Sequence, residues 1–253
     1  MNNSTSTPLP ASPTRWPQDS FRPGPTALFI LLALGLGAVI FAAGLAWLFV
    51  AYGGQIRHGI VPVIPAVIFQ LVLEGAIVAA ILLALPRLSK RSLRELGFRA
   101  LAPSEIGIAL LGAIAMIVVV EGGASLIQTL SHQKHEQSVV ELFKHILGNR
   151  NTTIFFVIFA CVLAPVMEET IFRVFCFNIG LRYGGFWVGA IVSGVLFGLA
   201  HGDLFVLLPL TLGGMILCGV YYRTGNAFAS MITHGIFNGV TVLALIYAPQ
   251  LAQ

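Results

Sequence analysis

Long apolar runs separated by short polar breaks dominate the pattern of this chain. A helix that crosses the hydrocarbon core of a bilayer needs about 20 predominantly apolar residues. Only the tripeptide His201-Gly202-Asp203 divides the fifth run from the sixth. The pattern predicts an all-α, polytopic bundle of transmembrane helices with about seven to eight spans, the eighth being a re-entrant or missed segment. The seven runs are approximately 27–52, 60–85, 105–130, 153–181, 186–203, 204–222 and 226–248.

The composition excludes a soluble domain and argues against nucleic acid as a partner. The chain is 57% hydrophobic and 9% charged, whereas soluble domains carry about 25% charged residues. Its net charge of +4 is small and scattered. The loop after the second run is basic, with Arg87, Lys90, Arg91, Arg94 and Arg99. Because Lys and Arg collect on the cytoplasmic side, we expect a multi-pass protein of the plasma (cytoplasmic) membrane with its N-terminus in the cytoplasm.

Two segments outside the apolar runs predict other structure. Residues 1–26 form a tail rich in Ser, Thr and Pro, which predicts disorder. The loop 131–152 is polar and carries His132, His135 and His145. These histidines could bind a metal, but their spacing matches no compact metal motif. The pattern favours a solvated loop, or an amphipathic helix at the membrane interface.

Three charged residues interrupt the fourth apolar run. Glu168, Glu169 and Arg173 lie within six residues, and an ionised side chain at mid-bilayer costs roughly 2.5–3.5 kcal/mol. Glu169 and Arg173 are four apart and share a helix face, so they predict an ion pair. Glu168 is rotated by about 100° from Glu169. The spacing therefore predicts that Glu169 and Arg173 form a scaffold and that Glu168 is the reactive group.

Two later runs offer partners at the same spacing. Phe197 and His201 are four apart in the fifth run, and His234 and Asn238 are four apart in the seventh. A polar group without a partner is costly in an apolar setting. Two histidines together with a buried acid pair therefore predict one shared polar site. The site requires Glu168, His201 and His234 to meet at one depth, so the fifth helix must extend past residue 203 or tilt.

The three motifs resemble those of the CPBP family of intramembrane proteases, which is also called the Abi or type II CAAX prenyl endopeptidase family. Its E-E-x-x-x-R motif stands here as Glu168 to Arg173, its F-x-x-x-H motif as Phe197 to His201, and its H-x-x-x-N or H-x-x-x-D motif as His234 to Asn238. They occur in family order. The resemblance implies a protease core at 153–248, formed by the four C-terminal helices, after variable transmembrane helices and loops at 27–152.

The resemblance also implies an activity and roles for these residues. The activity is hydrolysis of a peptide bond in a membrane-associated peptide or protein, such as a CAAX-type C-terminus or a leader peptide. Glu168 would activate water with the help of His201, while His234 and Asn238 would bind the oxyanion or complete the water site. Glu169 and Arg173 would hold the geometry. Glu168, His201 and His234 could also bind zinc and leave a fourth position for water, and the metal-dependent and metal-free mechanisms are both open.

Two other classes of function remain open at this point. The first is a membrane carrier that uses Glu74, Glu121 and Glu168, although the broken helices and inverted repeats typical of carriers are absent from the sequence. The second is a non-catalytic scaffold that binds a membrane partner. Each of Glu74 and Glu121 could belong to a substrate path or be a satisfied polar group. The pattern favours the satisfied group for Glu121 and is evenly divided for Glu74.

Overall fold

The computed structural model describes residues 21–58, 62–132 and 150–247. These residues form helices joined by turns, and none of them belongs to a β-strand. Two of the helical segments are π-helical, π1 (Phe159–Leu163) and π2 (Thr170–Phe177). The predicted all-α fold is therefore confirmed. In chain order the α-helices are α1 (Pro23–Arg57), α2 (Val63–Ser89), α3 (Pro103–Ser131), α4 (Arg150–Ile158), α5 (Ala164–Glu169), α6 (Asn178–Ala200), α7 (Leu207–Thr224) and α8 (Ala227–Tyr247).

Both polar segments predicted from the sequence lie mainly outside the described residues. The tail does so up to residue 20, and the loop does so from 133 to 149. The last residues of the predicted tail are an exception, because α1 already begins at Pro23. A proline at the first helical position suits a helix start, since its fixed φ is helical and its missing N–H has no partner there anyway.

Five helices of the described residues are long and apolar enough to cross a membrane. They are Pro23–Arg57, Ile64–Ser89, Pro103–Ser131, Arg150–Ala200 and Ala227–Tyr247. The count is lower than the predicted seven to eight for two reasons. Arg150–Ala200 is one continuous helical stretch of 51 residues that contains two of the predicted runs. The 18-residue α7, which ends in Tyr-Tyr-Arg-Thr, is not among the five.

A sharp reversal at Gly185 divides the long helical stretch into a hairpin. Gly185 has φ 73° and ψ −173°, outside the helical region, and a positive φ of this kind favours glycine. Beyond it the chain packs back on itself. A Cβ atom placed on Gly180 would lie 2.6 Å from the Cα of Gly189, and the Ser193 hydroxyl donates a 2.7 Å hydrogen bond to the Phe172 carbonyl. The carboxylate segment and the Phe197–His201 segment therefore lie side by side.

Glycines also bring α6 and α7 into close contact. A Cβ atom on Gly194 would lie 2.6 Å from the Thr211 carbonyl oxygen, and one on Gly198 would lie 2.8 Å from the Leu207 carbonyl oxygen. Such close approach of two backbones is the use that membrane helices make of small residues. Gly194 and Gly198 therefore pack directly against α7.

The basic loop before α3 is fixed to the turn between α7 and α8. The Tyr221 hydroxyl donates to the Leu96 carbonyl at 2.8 Å, and the Asn226 amide donates to the Glu105 carboxylate at 3.1 Å. Arg99 forms an ion pair with Glu105. In the same loop the Ser92 N–H and hydroxyl bind the Glu95 carboxylate and hold its pKa below the usual range. These contacts tie the N-terminal helices to the C-terminal core.

Candidate active site

The paired acids lie on the short helix α5, between the two π-helical segments. π-helical turns are rare and occur often at functional sites. Glu169 and Arg173 are both fully buried, and the Arg173 Nη1 atom lies 3.1 Å from the Glu169 Oε1 atom. The ion pair predicted from the i, i+4 spacing is therefore present. Arg173 also donates from Nη2 to the Gly214 carbonyl at 3.3 Å, and its guanidinium carbon lies 4.5 Å from the Phe197 ring centroid.

His234, on α8, contacts both acids. Its Nδ1 atom lies 3.0 Å from Glu169 Oε1, and its Nε2 atom lies 3.9 Å from Glu168 Oε2. An Nδ1–H that donates to a carboxylate fixes the tautomer and the orientation of the ring. The longer distance exceeds that of a hydrogen bond, so Nε2 faces Glu168 without binding it. The Phe197 ring packs edge-on against the imidazole, with ring centroids 5.5 Å apart.

Glu168 is the acid that has no ion-pair partner on its own helix. Its Oε2 atom is buried and has no hydrogen-bond partner, while its side chain as a whole is 15% exposed. The exposed part lines a cavity of about 250 Å³. Burial without a partner is unfavourable for a carboxylate. Glu168 is therefore the acid that is available to a ligand in this cavity.

The cavity brings together residues from all three motifs. Glu168, His201, His234 and Asn238 line it, whereas Glu169, Arg173 and Phe197 lie behind them. The remaining walls come from helices before and after the motifs. Their residues are Val67, Gln70, Val120, Glu121, Phe156, Phe159, Ala160, Ala164, Asp203, Val206, Leu210, Phe237, Thr241, Val242 and Leu245. The predicted juxtaposition of the motifs is thus present.

His201 lines the cavity although its helix does not extend past residue 203, the first of the two predicted alternatives. The helix ends at Ala200, and Gly202 turns the chain with φ 67°. The His201 Nδ1 atom lies 2.8 Å from the Phe197 carbonyl oxygen, which leaves Nε2 free of that contact. The Asp203 carboxylate then accepts the Phe205 N–H at 2.9 Å, in the turn that follows this helix.

Asn238 lines the cavity but also supports the backbone of the carboxylate helix. In π1 the Ala164 N–H bonds to the Phe159 carbonyl, five residues earlier. By the same pattern the Ala160 carbonyl would accept from residue 165, which is a proline and has no N–H. The Asn238 amide donates to this carbonyl at 2.7 Å. One Asn238 N–H is therefore committed to a structural hydrogen bond.

The donor set suggested for zinc is not arranged as a metal centre. Within residues 21–58, 62–132 and 150–247, no three His, Cys, Asp or Glu side chains are grouped so that they could hold a metal ion. Glu168 and His234 face each other at 3.9 Å. His201 completes no triad with them. The residues as placed do not fit a zinc ion.

Two further polar pairs lie in or beside the cavity, outside the three motifs, and the sequence motifs did not assign them. On α2, the Gln70 amide donates to Glu74 Oε1 at 2.8 Å, while Glu74 Oε2 is buried without a partner. On α3 and α8, the Thr241 hydroxyl lies 3.3 Å from Glu121 Oε1. The i, i+4 spacing of Gln70 and Glu74 could have revealed the first pair. Thr241 is 120 residues from Glu121, so no local pattern could have revealed the second.

A family model and two curated proteins are similar to part of this chain. Residues 150–240 match the model of a family described as Rce1-like, type II CAAX prenyl endopeptidase. The chain is 30% identical over 87 residues to the protein named Putative membrane peptidase YdiL of Bacillus subtilis (strain 168). The aligned region covers 34% of this chain and 36% of that protein. It is also 30% identical over 102 residues to the Membrane-embedded CAAX protease MroQ of Staphylococcus aureus (strain USA300). This second alignment covers 38% of this chain and 41% of that protein.

The matches therefore span less than half the length of each curated relative. No solved structure matches the chain significantly. The family match and both relatives agree with the family that the three motifs indicate. Through the region 150–240, the chain is similar to the CPBP family of membrane CAAX-type proteases.

Proposed function

We propose that this protein hydrolyses a peptide bond of a membrane-associated peptide or protein, with Glu168 as the general base. The observation that carries the proposal is the placement of Glu168. Its Oε2 atom has no hydrogen-bond partner and lies 3.9 Å from His234 Nε2, and the exposed part of its side chain lines the cavity. A water molecule beside both atoms would have a base and an orienting imidazole, which is what peptide hydrolysis requires.

In the first step, Glu168 takes a proton from this water while the oxygen attacks the scissile carbonyl carbon. A carboxylate that has lost its hydration shell is a stronger base than one in water. The tetrahedral intermediate carries negative charge on the former carbonyl oxygen. His201 lines the same cavity and is our candidate donor to that oxygen in its imidazolium form, because its Nδ1–H already faces the Phe197 carbonyl and Nε2 carries a proton only when the ring is doubly protonated. A donor of this kind contributes about 2.7–4 kcal/mol to lowering the barrier.

In the second step, Glu168 returns the proton to the leaving amine as the carbon–nitrogen bond breaks. His234 orients the water, while Glu169 and Arg173 are positioning residues. Glu169 fixes the imidazole through Nδ1, and Arg173 compensates the charge of Glu169. Asn238 acts through the backbone of π1, and its second N–H completes the water site in our proposal.

The names of the relatives and the membrane setting support a proposal for the substrate class. The family description names CAAX prenyl endopeptidases, and one relative is named a CAAX protease. We propose a CAAX-type C-terminus or a leader peptide of a membrane-associated substrate. We further propose that the basic loop 87–99 and the N-terminus lie in the cytoplasm and that the protein resides in the plasma membrane.

Replacement of Glu168 by Gln tests the proposal. The variant keeps the shape of the side chain and removes its basicity, so cleavage should fall by about 10²- to 10⁴-fold. The assay is mass spectrometry of a peptide library incubated with the full-length protein in liposomes. Glu95→Gln is the matched control, because Glu95 is exposed, outside the cavity and bound only within its own turn. If Glu168→Gln cleaves at the wild-type rate, or if the wild type cleaves nothing, the peptidase assignment is wrong and a scaffold role is favoured.

A further inference from the structure

We propose that Glu121 forms a subsite for a Lys or Arg side chain of the substrate, about three residues from the scissile bond. The inference rests on the proposed peptidase function, which makes the ligand a peptide. Glu121 lies on α3, outside the three motifs, and lines the same cavity as Glu168. It is exposed in the chain, so its carboxylate is accessible to whatever occupies the cavity.

The carboxylate of Glu121 is only weakly satisfied by the protein. Its contact is with the Thr241 hydroxyl, at 3.3 Å. The same hydroxyl lies 3.2 Å from the Phe237 carbonyl oxygen. A hydroxyl has one proton and can donate to only one acceptor at a time, and the helix carbonyl is the shorter contact. The hydrogen-bond donor near Glu121 is therefore an uncharged hydroxyl that the Phe237 carbonyl also attracts.

The cavity supplies no positive charge to compensate Glu121. The acids of the lining are Glu121, Glu168 and Asp203, and the described lining residues include neither Lys nor Arg. Arg173, the cation of the site, is already paired with Glu169. An ionisable residue at membrane depth is costly unless it is paired. A cationic side chain that enters with the substrate would provide the missing partner.

The distance between Glu121 and the reacting centre fits an extended peptide. Thr241 contacts Glu121, and His234 contacts Glu168, and both residues lie on α8. Seven residues of helix separate them, which is about 10 Å at 1.5 Å per residue. An extended peptide advances about 3.3 Å per residue. A side chain three residues from the scissile bond therefore reaches the level of Glu121, and this fixes the position at which selectivity is expected.

A series of short peptides tests this inference. The probes are capped octapeptides of Ala and Leu with one Lys moved through each position, together with the uncharged parent peptide. Wild-type protein in liposomes should cleave the peptide with Lys three residues from the cleaved bond about tenfold faster than the parent, since a single partly buried ion pair is of that size. Glu121→Gln should abolish this preference and still cleave the parent within about twofold. Glu121→Lys should instead favour the same peptide with Glu in place of Lys.

Binding keeps the inference testable if no probe is cleaved. Fluorescence anisotropy of dye-labelled peptides on the Glu168→Gln protein should show the same tenfold preference for the Lys peptide, and Glu121→Gln in that background should remove it. The preference should remain in the Glu95→Gln control. Equal affinity of Lys and parent peptides for the Glu168→Gln protein, or a Lys preference that persists without the Glu121 carboxylate, would overturn the subsite. Failure of the parent peptide to be cleaved counts against the proposed activity alone.

Discussion

Removal of Arg173 should separate the stability of this protein from its activity. The guanidinium is fully buried and contacts the Glu169 carboxylate, the Gly214 carbonyl and the Phe197 ring. Arg173→Met keeps most of the apolar volume but leaves the Glu169 charge buried without a cation. Breaking a buried pair by removing one partner costs about 3–5 kcal/mol. We expect the free energy of unfolding to fall by that amount.

A second substitution should restore stability in a way that depends on charge. In Arg173→Met/Glu169→Leu the unpaired carboxylate is gone, and apolar replacement of a buried pair is often neutral or stabilising by about 1–4 kcal/mol. The His234 Nδ1–H then has no acceptor, so activity should remain low. In Arg173→Met/Glu169→Gln the amide oxygen can still accept from Nδ1–H. This variant should regain stability and part of the activity.

The measurements are equilibrium unfolding in mixtures of SDS and a mild detergent, and cleavage of the peptide library. The Glu95→Gln variant provides a charge change outside the core. The reasoning is refuted if Arg173→Met is as stable as the wild type, or if both double variants are as unstable as Arg173→Met. Equal activity of the Leu and Gln double variants would show that Glu169 does not act by orienting His234.

Three further predictions follow from other contacts. Asn238→Ala leaves the Ala160 carbonyl without a donor, so the free energy of unfolding should fall by about 1–3 kcal/mol in the same SDS assay; unchanged stability would contradict the contact. Gly189→Ala would place a methyl group 2.8 Å from the Leu181 nitrogen, whereas Gly219→Ala meets nothing within 4 Å. The first should destabilise the hairpin by about 1–3 kcal/mol, and the second should stabilise α7 by up to about 1 kcal/mol; equal effects would refute the close packing. Chelator treatment of the purified protein should leave cleavage unchanged, since no metal-binding group of three side chains is formed by the described residues. Loss of cleavage, with recovery on added zinc, would instead assign Glu168, His201 and His234 to a metal.

Local spacing was sufficient to predict the parts of the site that lie on one helix turn. The i, i+4 rule predicted the pair of Glu169 with Arg173, and the rotation between neighbours predicted that Glu168 points elsewhere. The polarity of His201 and His234 in apolar runs predicted that both would have partners. These predictions depend only on helix geometry and on the cost of burying charge, so they do not require the fold.

The remaining contacts depend on packing between helices and could not be predicted. His234 binds Glu169 rather than Glu168 because of the way α8 packs on α5, 65 residues away along the chain. The structural bond of Asn238 exists because π1 shifts the hydrogen-bond pattern by one residue at Pro165. His201 lines the cavity directly after the end of its helix at Ala200, so the predicted extension past residue 203 is not required.

The bond between Asn238 and the Ala160 carbonyl has a consequence for how related chains can vary. The family motif accepts Asn or Asp at this position. An ionised Asp, however, has no proton to donate, and its negatively charged oxygens would repel the Ala160 carbonyl oxygen. An Asp is compatible only where residue 165 has its own N–H or where π1 is absent. Across the family, Asp at the position of Asn238 and Pro at the position of Pro165 should therefore avoid each other. Variation at a residue of the motif would in that case be governed by the backbone chemistry of another helix rather than by the reaction.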